Sequence, residues 1–208
     1  MDIRTEIFNR SRALFMKYGL KSVTMDDIAR DLGISKKTLY QFVDNKADLI
    51  QKVVCLFVDE EQESIDSIQQ QADDAIEEML NIARHIIRFL RSLTPTTIYD
   101  LQKYYKESWE LVYELNNKHI IEVLKQNIEK GIRQGVYREN LNPEIIAKIY
   151  VGKIPIITDE EIFPGREYNR EQLFSEFFTY HIHGIASQKG LQHLQAHMDR
   201  RRGNANEL

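Results

Sequence analysis

The stretch from Thr24 to Lys46, TMDDIARDLGISKKTLYQFVDNK, holds three helix starts and one tight turn. Thr24 offers the hydroxyl of an N-cap, and Asp27 follows at the third position, as in a capping box. Ile28, Ala29 and Leu32 give the helix that follows a short apolar face. Gly33 breaks it, Ile34 anchors the turn, and Ser35 caps a third helix containing Leu39 and Phe42. Asn45 with Asp48 marks a further start, running through Leu49, Ile50, Val53, Val54 and Phe57 toward residue 70. Two short helices joined by a glycine turn, with Ile28, Ala29, Leu32, Ile34 and Leu39 at their mutual contact, form a helix-turn-helix pattern. Lys36, Lys37, Thr38, Tyr40 and Gln41 leave the exposed face of the second helix polar, as suits a helix entering a major groove. Lys can meet phosphate or guanine acceptors, Gln can bond adenine, and Thr can contact a base or a phosphate.

The rest of the chain also reads as helix. Ile3, Ile7, Leu14, Phe15 and Tyr18 form one face of a first helix, which Gly19 stops. Helices are expected near 72–92 and 96–102, with Pro95 between them, and over about 105–134, ended by Gly135. Asn142-Pro143-Glu144 joins a cap, a first-turn proline and an acid at the positive end of the helix dipole. Pro155 lies near the end of that helix, and Asp159–Tyr168 reads as a loop. Asn169 with Gln172 opens a last long helix, which Gly190 is expected to end. Residues 191–199 suit one more short helix, and Arg200–Leu208 a frayed tail. No segment reads as a strand. The expectation is an all-α chain of about nine helices, with a three-helix domain over 1–48 and a larger helical domain over 49–208.

Bulk properties bound the function. The single cysteine, Cys55, rules out an intrachain disulfide. No signal-peptide pattern and no apolar run of about 18 residues is present, so a cytoplasmic protein without a membrane partner is expected. The net charge of −4 argues against nucleic acid, but the charge is unevenly spread. Residues 1–50 hold nine Lys/Arg and seven Asp/Glu, a balance of +2, and the remainder carries −6.

The run from Ile7 to Leu49 resembles the DNA-binding domain of the TetR family of bacterial transcriptional regulators. The match includes Ala13-Leu14-Phe15, Tyr18-Gly19, Val23-Thr24, Asp27-Ile28-Ala29, Leu32-Gly33-Ile34-Ser35, Thr38-Leu39-Tyr40, Asn45-Lys46 and Asp48-Leu49. The resemblance implies a near-palindromic double-stranded DNA operator bound by a homodimer. Thr24 would contact phosphate, and Ser35, Lys36, Lys37, Thr38 and Gln41 would belong to the groove-facing surface. Tyr40 and Lys46 would hold backbone phosphate. Phe42 stands where the family often has Tyr or His, and Lys37 where a small residue or proline is common.

Beyond residue 50 the echo is shorter: Gly131-Ile132, Gly135-Val136-Tyr137-Arg138 and Leu141-Asn142-Pro143-Glu144. It resembles the family's junction between the ligand-domain helix and the first dimer helix. The resemblance then implies a dimer interface on the last two long helices, with apolar faces Ile145/Ile149 and Phe174/Phe177/Phe178/Ile185. These faces exceed what one thin helical layer is expected to bury. It also implies a pocket for a small apolar or aromatic effector, with His85, Phe89, Tyr105, Trp109 and Tyr113 as candidates. Effector binding would release a repressor from DNA by a shift of population.

An all-helical chain of this kind could alternatively be a helical adaptor or an enzyme using the C-terminal pocket. No nucleophile or acid–base set stands at a recognisable spacing, so no catalytic residue is assigned. His193 and His197 are four apart, but no carboxylate or cysteine completes a metal set nearby in sequence. No metal or other cofactor is expected.

Overall fold

The computed structural model describes residues 2–92 and 97–205, without the side chains of 92, 112, 115, 116 and 198–205. Pro95, the side chain of Val112 and residues 206–208 lie outside the described residues. The elements are α1 (Ile3–Tyr18), α2 (Met25–Leu32), α3 (Lys36–Leu39), α4 (Lys46–Gln71), α5 (Ala75–Ser92), α6 (Thr97–Tyr104), α7 (Lys106–Arg133), α8 (Pro143–Thr158), α9 (Arg170–Ile185) and α10 (Gln188–Ala205). The fold is all-α. Outside the helices, one isolated antiparallel bridge joins Tyr137 to Ala186 among the described residues.

The chain divides into two compact units. The first comprises Met1–Gln62 and Arg91–Asn116, the second Glu63–Leu90 and Asn117–Leu208. This differs from the boundary expected after residue 48. The physical reason is α4, which starts at Lys46 and runs unbroken to Gln71, so no linker falls at 48/49. The first unit also recruits α6 and the start of α7.

In the first unit Ile7, Phe15, Ile28, Leu39, Leu49 and Ile50 are buried in one cluster, which Leu101 of α6 joins. Each such side chain is worth roughly 1.5–3 kcal/mol in apolar burial. Tyr105 and Trp109 pack against this same cluster.

In the second unit α5, α7, α8, α9 and α10 share a core that includes Ile76, Met79, Ile128, Tyr137 and Ile182. Phe174, Phe177, Phe178 and Ile185 belong to it, each 9% exposed or less. The expectation that these four exceed what the subunit's own helices can cover is thereby corrected. They pack on α8 within the chain, with the Phe177 and Tyr150 ring centroids 4.6 Å apart.

Gly190 does not end α9. That helix stops at Ile185, and Gly190 sits inside α10. Its role is close approach: a Cβ there would lie 1.9 Å from the Val136 carbonyl oxygen. The strand-like pairing of Arg138 N–H with the Ile185 carbonyl and Ser187 N–H with the Val136 carbonyl, both at 3.0 Å, draws the two segments together. Ser187 then caps α10, its Oγ accepting from Gly190 N–H at 3.1 Å. Consequently α10 begins at Gln188 and extends to Ala205, longer than the short helix and frayed tail expected over 191–208.

Candidate nucleic-acid interface

The local chemistry of residues 24–46 builds the interface. Thr24 and Asp27 form a reciprocal capping box on α2. Asp27 N–H donates to Thr24 Oγ1 at 3.2 Å, and Thr24 N–H donates to Asp27 Oδ2 at 3.0 Å. The Thr24 hydroxyl also donates to Asp27 Oδ2, at 2.6 Å. These bonds hold the Asp27 carboxyl below its usual range, the Thr24 hydroxyl and N–H contributing most. At the other end Gly33 is left-handed, φ +66°. Ile34 N–H then reaches the Ala29 carbonyl at 3.0 Å, which closes a Schellman turn. The angle between α2 and α3 is therefore set by backbone bonds.

Ser35 caps α3 by accepting from Thr38 N–H at 3.0 Å, and its hydroxyl lies 2.7 Å from that of Thr38. The α3 helix spans only Lys36–Leu39. Gln41 and Phe42 follow in tight turns, their N–H groups bonding the carbonyls of Thr38 and Leu39, both at 3.1 Å. Leu39 and Val43 are buried, whereas Lys36, Lys37, Tyr40 and Gln41 are exposed. Phe42 packs against the first unit's core, which takes its ring out of the polar surface. In the free chain Lys36 Nζ pairs with Asp26 Oδ2 at 3.0 Å, so DNA would have to displace that carboxylate.

Lys46, the first residue of α4, is half-buried. Its Nζ donates to the Lys21 carbonyl at 3.2 Å. Burial lowers its pKa, while the charges of Asp100 and Asp27 oppose that shift. Lys21 thus joins the surface, although sequence reading had not singled it out. Its other partners, Asp100 and Tyr104, lie 79 and 83 residues away. No local spacing signal could have joined them.

The effector candidates are not gathered in one unit. His85 and Phe89 lie on α5 in the second unit, whereas Tyr105, Trp109 and Tyr113 belong to the first. Tyr105 and Trp109 serve as core flanks there. A groove between α1 and α4, lined by Arg4, Phe8, Gln51, Cys55 and Leu56 among others, includes none of the five. Ile145 and Ile149 on α8 are exposed, at 54% and 47%.

His193 and His197 do meet a carboxylate, from a distant part of the sequence. Asp74 Oδ2 lies 3.5 Å from His193 Nδ1 and 3.6 Å from His197 Nε2. Among the described residues no group of three or more His, Cys, Asp or Glu side chains is arranged to hold a metal ion. None of the helices in the described residues is long and apolar enough to cross a membrane.

A capped helix pair with a fixed turn, a buried apolar seam and a polar outer face defines a helix-turn-helix DNA-binding protein. A family model described as bacterial regulatory proteins, tetR family, matches residues 7–53. An uncharacterized HTH-type transcriptional regulator of Bacillus subtilis (strain 168), YvaF, is 26% identical over 178 residues, covering 80% of this chain and 87% of YvaF. A transcriptional regulator from Cytophaga hutchinsonii ATCC 33406 shares the fold, with a TM-score of 0.71 at 18% identity, over 88% of this chain and 98% of that one. The regulator FadR from Bacillus subtilis, solved in complex with stearoyl-CoA, gives a TM-score of 0.64 at 18% identity, over 87% and 98% of the two chains. Over most of its length the chain is thus similar to HTH-type transcriptional regulators.

Proposed function

We propose that the chain is a ligand-responsive repressor that binds a near-palindromic operator as a homodimer. The observation that carries this reading is the sorting of α3 and its following turn. Leu39 and Val43 are held inside, while Lys36, Lys37, Tyr40 and Gln41 point to solvent from a turn fixed at both ends. Thr24, Ser35, Thr38 and Lys46 flank them. Gln41 and the lysines would read base edges, and Tyr40, Thr24 and Lys46 would hold phosphates.

The dimer surface we assign is narrower than the four buried side chains of α9 suggested. Ile145, Ile149 and Ile156 are exposed on α8 at helical spacing, with Gly152 between them. Tyr180 of α9 is 70% exposed, and Lys153 of α8 lies over its ring. A second copy of this chain would cover such a face. The effector we assign is a small, largely apolar molecule bound in the helical C-terminal domain. Support comes from the FadR likeness, whose own ligand is stearoyl-CoA. Binding would favour a dimer with its recognition helices wrongly spaced, and the shift is limited by the effector's differential affinity. DNA as target implies a cytoplasmic protein.

Selection from a random-sequence duplex pool tests this function. The expected product is a pair of inverted half-sites whose centres lie about 34–36 Å apart or a multiple of that. Enrichment of a single half-site would contradict the dimer, and no enrichment would contradict the whole reading.

A further inference from the structure

The first unit has a second cluster of cationic and aromatic side chains, outside the helix-turn-helix. Tyr99 and Tyr104 on α6 are 41% and 44% exposed. Lys103 Nζ lies 4.9 Å from the centre of the Tyr99 ring and 5.6 Å from that of Tyr104. Lys21 Nζ, from the turn between α1 and α2, lies 4.7 Å from the centre of the Tyr104 ring and 3.4 Å from its hydroxyl. Two lysines from separate segments therefore share one tyrosine. The nearby carboxylates are occupied: Asp100 is buried and accepts Lys21 N–H, and Asp27 is bonded to Thr24.

The cluster is continuous with the interface already described, because Lys46 Nζ donates to the Lys21 carbonyl. A line of groups runs from Lys46 through Lys21 and Tyr104 to Lys103. All are exposed except Lys46, which is half-buried. The ammonium groups and phenol hydroxyls can donate to phosphate oxygens, and none of them needs to reach a base.

We propose that Lys21, Lys103 and Tyr104 form a sequence-independent phosphate-binding extension of the DNA interface, engaging backbone beside the groove that α3 enters. This rests on the DNA-binding reading above. Its alternative is a local role, in which Lys103 and Lys21 do no more than cover tyrosine rings.

The two roles differ in salt dependence. Each phosphate contact contributes about 0.9 to the slope of log affinity against log salt. Losing one changes the affinity ratio across a fourfold salt range by about 3.5-fold. The experiment titrates a labelled mixed-sequence duplex with the full chain at several salt concentrations. It compares wild type, Lys46→Ala, Lys103→Ala, Lys103→Arg and Lys118→Ala. Lys118 is exposed on α7 and controls for net charge. Circular dichroism checks the fold of each variant.

The proposal expects Lys103→Ala to lower the slope by about 0.9, as Lys46→Ala does, with Lys103→Arg and Lys118→Ala near wild type. A lowered slope for Lys46→Ala with an unchanged one for Lys103→Ala would overturn this extension alone. An equal loss for Lys118→Ala would also overturn it, since bulk charge would then account for the effect. Absence of salt-dependent binding by wild type would overturn both this proposal and the DNA-binding reading.

Discussion

The backbone N–H of Lys21 donates to the carboxylate of Asp100 at 3.2 Å, tying the turn before α2 to α6 across 79 residues. Asp100 is only 7% exposed, and its charge also acts on Lys46. Asp100→Ala would leave the Lys21 N–H without its acceptor, at a cost of about 1–3 kcal/mol. Asp100→Asn keeps an acceptor oxygen and should cost less. Urea unfolding of the two variants gives the order, and equal losses would show that the hydrogen bond is not what matters.

Gly190→Ala should destabilise the chain by about 1–3 kcal/mol, even though alanine favours a helix interior by about 1 kcal/mol. The cause is the Val136 carbonyl, 1.9 Å from the new Cβ and part of the backbone, so it cannot simply rotate away. A Tm at or above wild type would refute the close-approach account.

The reassignment of the aromatic face of α9 makes opposite expectations for two substitutions. Phe177 is buried in the second unit's core, so Phe177→Ala should cost about 3–5 kcal/mol of stability. Ile149 is 47% exposed, so Ile149→Glu should leave the subunit folded and weaken self-association. Sedimentation velocity beside thermal unfolding separates the two. A monomeric wild type would remove the dimer from the account.

His181 makes stability fall in mild acid. Burial first, and Lys153 second, lower its pKa from 6.5 to about 4. Its Nε2 is buried without a hydrogen-bond partner among the described residues, and its ring stands edge-on to Tyr150 at 4.5 Å. Between about pH 6.5 and 4 the unfolded chain binds a proton that the folded chain does not. Stability therefore declines as pH falls through that window, by on the order of 2–3 kcal/mol at its lower end. His181→Gln should flatten the decline. Asp74 acts at lower pH: burial raises its pKa, but Glu77 N–H, His197 and His193 outweigh that and bring it below 3.8. Its contribution is lost only as pH falls from 3.8 through that lower folded value. An unchanged decline in His181→Gln, measured by denaturant titration at each pH, would reject the assignment.

Local chemistry made the helix-turn-helix and the later helix starts legible in the sequence. Thr24 with Asp27, Ser35, Asn142 with Pro143, and Asn169 are caps whose partners lie within a few residues, and the structure has each in place. Gly33 declared the turn because its φ of +66° suits glycine. Long-range packing was hidden. Gly190 looked like a stop signal because the Val136 carbonyl that explains it is far away in sequence. Phe174 and Phe178 looked too many for one layer because periodicity does not count the neighbours a face will meet. Tyr105 and Trp109 sit at helical spacing whether they flank a core or line a pocket, and only the tertiary fold places them on the first unit's cluster. The carboxylate beside His193 and His197 was missed for the same reason, since Asp74 lies on the far side of more than half the chain.

The central claim is that α3 and its flanks read DNA, and base preference measured on three variants tests it most directly. Tyr40→Phe and Lys46→Ala should weaken binding to all duplexes alike, because they remove phosphate contacts. Gln41→Ala should instead relax preference at one position of the selected site, costing about 1–3 kcal/mol there. Binding that is absent at low salt, or that survives all three changes with its sequence preference intact, would contradict the account.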